Sequence, residues 1–359
     1  GAGVSLNKGM PTFLELARQV INYFDPPIDS EVCLAFKPWK EVGRGPVSLD
    51  QIFHLLYLDY GKDEVSEIVA KILKVNKSNN AGSDEHEVIS RISSDQKGRP
   101  QIVTTNFDRL FEEALDYNIE YHVPPSLPDI NLGIPLTGVT YLHGRLQDAG
   151  SDHHSYILSS ADFGRAYLSE AWATNFVRSL LKSFTVVLVG YQAEDPPVKY
   201  LLQGLNHDGK SDRKNLYAFD KGLPEEVEAK WRDRGVTAIP YSDHPQLWKS
   251  LSAWADRAKS PKKWRANIIK MALIGPAKLE PHERGQVMHL VSSKVGAREF
   301  CQSEISPSAE WLCVFDPICR GSGPAQSYVD DEVFDPVEYY GLDDDPSRPG
   351  DEGKIDFEG

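Results

Sequence analysis

Apolar positions along this chain switch between two periods, and each switch marks an element. Gln101 to Thr105 is a short β-branched run bounded by Pro100, which predicts a buried strand. Phe107 to Tyr117 then sets Leu110, Phe111, Ala114 and Leu115 at helical spacing, so a helix follows directly. Gly138 to Leu142 repeats the strand pattern and delivers His143 and Gly144 at its end. Asn106 and Asp108 thereby fall at the carboxyl end of a strand, where open α/β sheets hold their ligands.

Ahead of these strands the spacing predicts a helix from about Leu14 to Phe24, with Thr12 as N-cap and Glu15 completing a capping box. Residues 25–99 read as mainly helical, a helical insertion that would cover a ligand site. Leu49 to Tyr60 is apolar on several sides, and Glu64 to Val75 gathers Val65, Ile68, Val69 and Ile72 on one face. Asn76 to His86 is a polar surface loop, and Tyr121 to Pro135 is proline-rich and irregular.

Downstream, Ser155 to Leu158 predicts a short strand, and Ser159 to Asp162 starts a helix. A helix over Glu170 to Ser183 leads into Phe184 to Val189, the most hydrophobic strand, which fits the middle of a parallel sheet. Asp195 reads as the N-cap of a helix that runs to Leu205. Two strand–helix units follow, Asn215–Phe219 with Pro224–Arg234 and Val236–Tyr241 with His244–Ala258. Such alternation predicts an α/β fold, a Rossmann-like doubly wound parallel sheet with a helical insertion and a small C-terminal appendage. The expected division is 1–260 for the sheet domain, 261–328 for a small mainly helical region, and 329–359 for an acidic arm. In the middle piece only Ala266–Ile274 and Gln286–Ser293 read as helices.

Charge alters this picture at one end. The formal charge is −14, but Asp330 to Gly359 holds twelve acids and two bases, so the body carries only about −4. That balance argues against a general nucleic-acid binder. No apolar run approaches the ~20 residues of a membrane span, and no signal peptide opens the sequence. Cys33, Cys301, Cys313 and Cys319 form no C-x-x-C pair, which fits reduced thiols in a cytoplasm and no zinc.

The candidate chemistry is a polar cluster at neighbouring strand ends. Asn106 donates and accepts at once, Asp108 brings a carboxylate, and His143 titrates near neutral pH. Gly1 and Gly3 let backbone amides approach a pyrophosphate closely, although two glycines fall short of a full dinucleotide fingerprint. The strand that normally precedes such a loop is missing, so the sequence is read as lacking its natural first strand. Asp220, just past a strand end, is placed to touch a ribose. Bland readings exist for each: an N-cap pair for Asn106 and Asp108, a turn for His143-Gly144, a solvated loop acid for Asp220.

Taken together, Gly1-Ala-Gly-Val-Ser5, Gly9-Met-Pro11 with Phe13, Thr105-Asn106-Phe107-Asp108, His143-Gly144 and Val189-Gly190-Tyr191 with Asp195-Pro196 resemble the sirtuin superfamily. The likeness is to the SIR2-like domains of bacterial anti-phage defence proteins, and it spans roughly residues 1–258. Two departures matter. The four-cysteine zinc module of deacylating sirtuins is absent, and Leu14 stands where those enzymes commonly have an arginine. Both favour NAD hydrolysis over protein deacylation.

The resemblance implies a NAD glycohydrolase, an abortive-infection effector releasing nicotinamide and ADP-ribose. Asn106 would hold the ribose hydroxyls or a water, Asp108 the nicotinamide carboxamide or the developing cation, and His143 would act as general base. Gly1, Ala2, Gly3 and Ser5 would cradle the pyrophosphate, with Gly190 and Tyr191 along the adenosine side. Pro11, Phe13 and Thr105 would complete the NAD site, with Phe13 shielding it from water. A homo-oligomer, an ATPase partner or a phage-protein trigger would restrain the activity; no nucleic acid or membrane is expected. The competing readings are a NAD-dependent protein deacylase and a silent NAD or ADP-ribose-binding regulatory module.

Overall fold

The computed structural model describes residues 1–75, 84–95, 97–147, 155–193, 196–206 and 215–315. They belong to two compact units, Gly1–Leu251 and Ser252–Gly359. The predicted cap at Asp195, the acidic arm from 329, Cys319 and most of the polar loop after Asn76 lie outside the described residues.

In the first unit five helices precede the first strand: Phe13–Phe24, Glu31–Val42, Leu49–Tyr60, Lys62–Val75 and Asp84–Ile92. Their starts are written locally. Thr12 Oγ1 accepts from Glu15 N at 3.1 Å, and Ser30 Oγ accepts from Cys33 N at 3.2 Å. Ser48 and Gln51 close a reciprocal box. The box predicted at Thr12 forms only on one side, because the Glu15 carboxylate turns to Arg18 and Gln19 instead. Val65, Ile68 and Val69 face inward as their spacing predicts, and they pack with Leu16, Val20, Phe53 and Leu56. Each such side chain contributes about 1.5–3 kcal/mol by leaving water.

The fold is α/β and Rossmann-like, and its strands pair in parallel. β1 (Gln101–Thr104), β2 (Tyr121–His122) and β3 (Gly138–Tyr141) lie in the order β1-β3-β2. β4 (Val186–Leu188), β5 (Leu216–Lys221) and β6 (Thr237–Tyr241) form a second set in the order β4-β5-β6. Pro240 sits in β6, an outer strand, where its missing N–H is tolerated.

Four local expectations change. The helix after β1 is only Leu110–Ala114, ended by positive φ at Asp116 (53°) and Tyr117 (56°). Ser155–Leu158 makes no strand; Ile157 N instead donates to His143 O at 2.8 Å. Tyr121–His122 joins β3 inside the stretch expected to be irregular. β4 is an outer member of its set, only half-buried, because its backbone beyond Leu188 gives carbonyls to the Gly1–Gly3 turn.

The second unit holds Pro261–Ala272, Pro281–Val291, Lys294–Cys301 and Glu310–Phe315. Trp264, Ile268, Val287, Leu290, Phe300 and Trp311 form its core. Trp311 Nε1 donates to Ala272 O at 2.8 Å. That core is richer than the sparse apolar periodicity suggests, since two tryptophans far apart in sequence fill much of it.

Candidate active site

β1 and β3 bring the two central residues to one level. Their register ends at Thr104 opposite Tyr141, and Leu142 N donates to Thr104 O at 2.8 Å. Asn106 and His143 each lie two residues further on. The backbones stay joined past them, with Leu146 N donating to Phe107 O at 2.7 Å.

Asn106 is half-buried and its amide is oriented. Nδ2 donates to Gly1 O at 3.2 Å and to Ser5 Oγ at 3.0 Å. A carbonyl only accepts, so the nitrogen must face Gly1, and Oδ1 points the other way. Both amide hydrogens are used; among the described residues Oδ1 meets no donor. Thr104 Oγ1 accepts from Asn106 N at 3.1 Å, which fixes the backbone, and Thr105 is half-buried between them.

The glycine turn crosses the end of β4 at close range. Gly1 N donates to Val189 O at 3.1 Å and Gly3 N to Gly190 O at 3.0 Å. A Cβ on Gly1 would lie 2.5 Å from Gly190 O, and one on Gly3 2.9 Å from Gly190 Cα. Gly190 itself has φ +60°, with Val4 N 2.7 Å from its ideal Cβ. These glycines are thus required first by backbone-to-backbone contact. The amide of Gly3, expected to face a pyrophosphate, is already bonded to Gly190. Ala2 is exposed and Ser5 buried in the short helix Ala2–Ser5.

Other expected contacts resolve differently. Asp108 is buried and its Oδ1 accepts from Leu110 N at 3.1 Å, capping the next turn with one of its two carboxylate oxygens. Asp220 is committed: it accepts from Lys230 Nζ at 2.7 Å and Trp231 Nε1 at 2.9 Å, tying the helix Pro224–Arg232 to β5. Those bonds turn its carboxylate from the ribose contact expected. Phe13 stacks on Phe53 at 5.0 Å within the helical core, and Pro11 is half-buried just before it. Tyr191 is half-buried and packs on the apolar cluster around Phe176 and Trp231.

His143 is buried, and its Nε2 is 2.9 Å from the Tyr167 hydroxyl. The Phe163 ring meets the imidazole edge-on at 5.1 Å. Tyr167 lies in a π-helical turn, Arg165–Ser169, a local distortion frequent at functional sites. Neither it nor His86 was singled out from the sequence. His86 is 1% exposed and its Nε2 lies 3.3 Å from Ser5 Oγ. Burial pushes its ring below the usual histidine value, against the pull of Asp108 and Glu85. Glu112 and Arg145 were also passed over; they make a buried bidentate pair at 2.6 and 2.7 Å. Arg145 follows His143-Gly144 directly, and that adjacency was the available signal. Among the described residues, no group of three or more His, Cys, Asp or Glu gathers to hold a metal.

Residues 100–239 match the SIR2-like domain. The matched span contains Asn106, Asp108, His143, Gly190, Tyr191 and Asp220. SIR2-like domains use NAD. The chain is also similar to uncharacterized protein y4cA of Sinorhizobium fredii (strain NBRC 101917 / NGR234), at 36% identity over 214 residues. The alignment covers 55% of this chain and 18% of the relative, so the chain spans less than a fifth of that curated protein. Among the described residues, no helix is long and apolar enough to cross a membrane.

Proposed function

We propose that the chain is a NAD glycohydrolase, which splits the bond between nicotinamide and ribose and adds water to the sugar. The products are nicotinamide, ADP-ribose and a proton. One observation carries the reading: an amide and an imidazole stand level at the ends of paired strands, and the amide is hydrogen-bonded to the glycine turn. The reading of a dinucleotide as substrate is supported by the match of residues 100–239 to the SIR2-like domain, since SIR2-like domains use NAD.

In this reading Asn106 works through Oδ1. With both amide hydrogens used, the oxygen accepts from a ribose hydroxyl or from the incoming water and orients it. His143 takes the proton released by that hydroxyl or water, its ring held by the Tyr167 hydroxyl. Asp108 brings its carboxylate beside them, one oxygen held by the Leu110 amide. Gly190 and Tyr191 border the adenosine side, and Phe13 closes the site from the helical side. The activity would serve anti-phage defence by depleting NAD, gated by self-association, an ATPase partner or a phage protein.

Incubating the purified protein with NAD and weighing the products by mass spectrometry decides among readings. Free ADP-ribose and nicotinamide support hydrolysis. Consumption only with an acyl-lysine peptide would mean a deacylase, and binding without turnover a regulatory module. Asn106→Ala and His143→Ala should each abolish turnover with the fold intact; full activity in both would discard the site. For the cellular role, NAD should fall on phage challenge only in cells carrying active protein.

A further inference from the structure

We propose that His86, from the helical insertion, is a positioning residue for Asn106, acting through the Ser5 hydroxyl. This rests on the hydrolase reading for its consequence but not for its geometry. Three side chains from distant parts of the chain form one buried line. Asn106 Nδ2 donates to Ser5 Oγ at 3.0 Å, and Ser5 Oγ lies 3.3 Å from His86 Nε2. Ser5 and His86 are each 1% exposed.

The line has a direction. A hydroxyl has one hydrogen, and here its oxygen already accepts from Asn106. A neutral imidazole accepting at Nε2 lets Ser5 donate onward, so every group is satisfied from Asn106 to His86. Burial favours that neutral ring. A charged ring would instead donate to Ser5, leaving the hydroxyl hydrogen to compete with the Asn106 amide for the same space.

Around the imidazole stand Phe111, edge-on at 4.7 Å, and the charges of Asp108, Glu85, the N-terminal ammonium and Lys8. The helix Asp84–Ile92 therefore contributes a group that, together with the Gly1 carbonyl, holds the Asn106 amide with its nitrogen inward and Oδ1 outward. Apolar packing would also tolerate phenylalanine at 86; it does not account for a histidine reaching Ser5.

The test uses the full chain labelled with 15N-asparagine, the Asn106 side-chain amide being assigned by its loss in Asn106→Asp. Its resonances should move in Ser5→Ala and move the same way in His86→Phe, which keeps the ring packing on Phe111. His86→Gln, which can still hydrogen-bond to Ser5, should leave them near the wild-type position. An Asn106 amide unmoved in both Ser5→Ala and His86→Phe overturns the proposal whether or not NAD is hydrolysed. If H86F does not fold, His86→Leu, which likewise cannot hydrogen-bond to Ser5, takes its place.

Turnover supplies the second arm. Ser5→Ala and His86→Phe should each lower kcat roughly tenfold, the upper end for one lost hydrogen bond, with KM within twofold. The double variant should lose no more than either single one. Additive losses, or H86Q as poor as H86F, would mean that His86 acts by packing alone. A wild type that releases no nicotinamide defeats the hydrolase reading, while the amide shifts still decide the link.

Discussion

Removing one member of the Glu112–Arg145 pair should loosen both loops of the site at once. Glu112 stands in the short helix after the Asn106–Asp108 turn, and Arg145 follows His143-Gly144. The guanidinium donates through Nε and Nη2 to both carboxylate oxygens, and the Tyr141 hydroxyl adds a third bond at 2.6 Å. Their side chains are 4% and 1% exposed. Arg145 also lies over the Tyr121 ring, 4.0 Å from its centre.

Burial alone would push the Glu112 carboxyl up, but Arg145 and Tyr141 outweigh it and hold the group below the usual carboxylate range. Glu112→Gln or Glu112→Leu leaves the buried Arg145 charge without its counterpart, and Arg145→Met leaves Glu112 with only the Arg109 contact at 3.2 Å and the Tyr141 hydroxyl, each a loss of about 3–5 kcal/mol. At a urea slope of about 2–3 kcal/mol/M, the unfolding midpoint should fall by roughly 1–2 M. Glu112→Leu with Arg145→Met removes both charges of the pair and takes Glu112 from the Tyr141 hydroxyl and the Arg109 guanidinium, about 1–3 kcal/mol. The cycle of Glu112→Leu and Arg145→Met should therefore show at least about 3 kcal/mol of coupling. Because the native pKa is depressed, the pair's contribution is whole above the ordinary value of 4.5 and fades as pH falls through the native one. Wild type and Glu112→Gln should accordingly converge in stability at acid pH. A double variant as unstable as the sum of the single ones, or an Arg145→Met loss under about 1 kcal/mol, would refute the reasoning.

Gly3→Ala must push its methyl to within 2.9 Å of Gly190 Cα, so the turn has to back away. At about 1–3 kcal/mol for such overpacking, NAD affinity by calorimetry should fall roughly 5- to 150-fold, and an unchanged Kd would free the turn from any ligand role. Tyr167→Phe removes the hydroxyl 2.9 Å from His143 Nε2, and kcat should drop about three- to tenfold with a displaced pH profile. An unaltered profile would leave the tyrosine without influence on the imidazole. In the second unit, Trp311→Ala removes a 1%-exposed ring and its bond to Ala272, costing about 3–5 kcal/mol. Hydrogen exchange of full-length protein should then quicken across 261–301; unchanged protection would deny Trp311 its central place.

Much of the fold is legible because strand and helix periods differ so plainly in this chain. Ile102–Thr104 and Val139–Tyr141 carry β-branched residues between breakers, and they pair in register. Errors gather where short-range pattern and long-range contact disagree. Phe107–Tyr117 has helical spacing, yet the left-handed Asp116 and Tyr117 stop the helix after Ala114. Phe184–Val189 has the composition of a central strand, but its end is bonded to a turn 188 residues away, at the start of the sequence. No local window contains that information.

The same distinction governs the site. Asn106 and His143 could be found because each follows a recognisable strand, and strand ends are where α/β sheets present side chains. His86 could not: it lies in an amphipathic helix after a polar loop, 81 residues from the serine it meets. Asp220 illustrates the converse, since its position past β5 resembles a ribose ligand until Lys230 and Trp231 are seen to occupy it. A strand end thus establishes that a polar group can be presented, whereas its partners determine whether it is free to act. By that criterion Asn106 is distinct from Asp220. Its hydrogen bonds consume the donor half of the amide and leave an oriented acceptor among the described residues, the property a water or sugar hydroxyl requires.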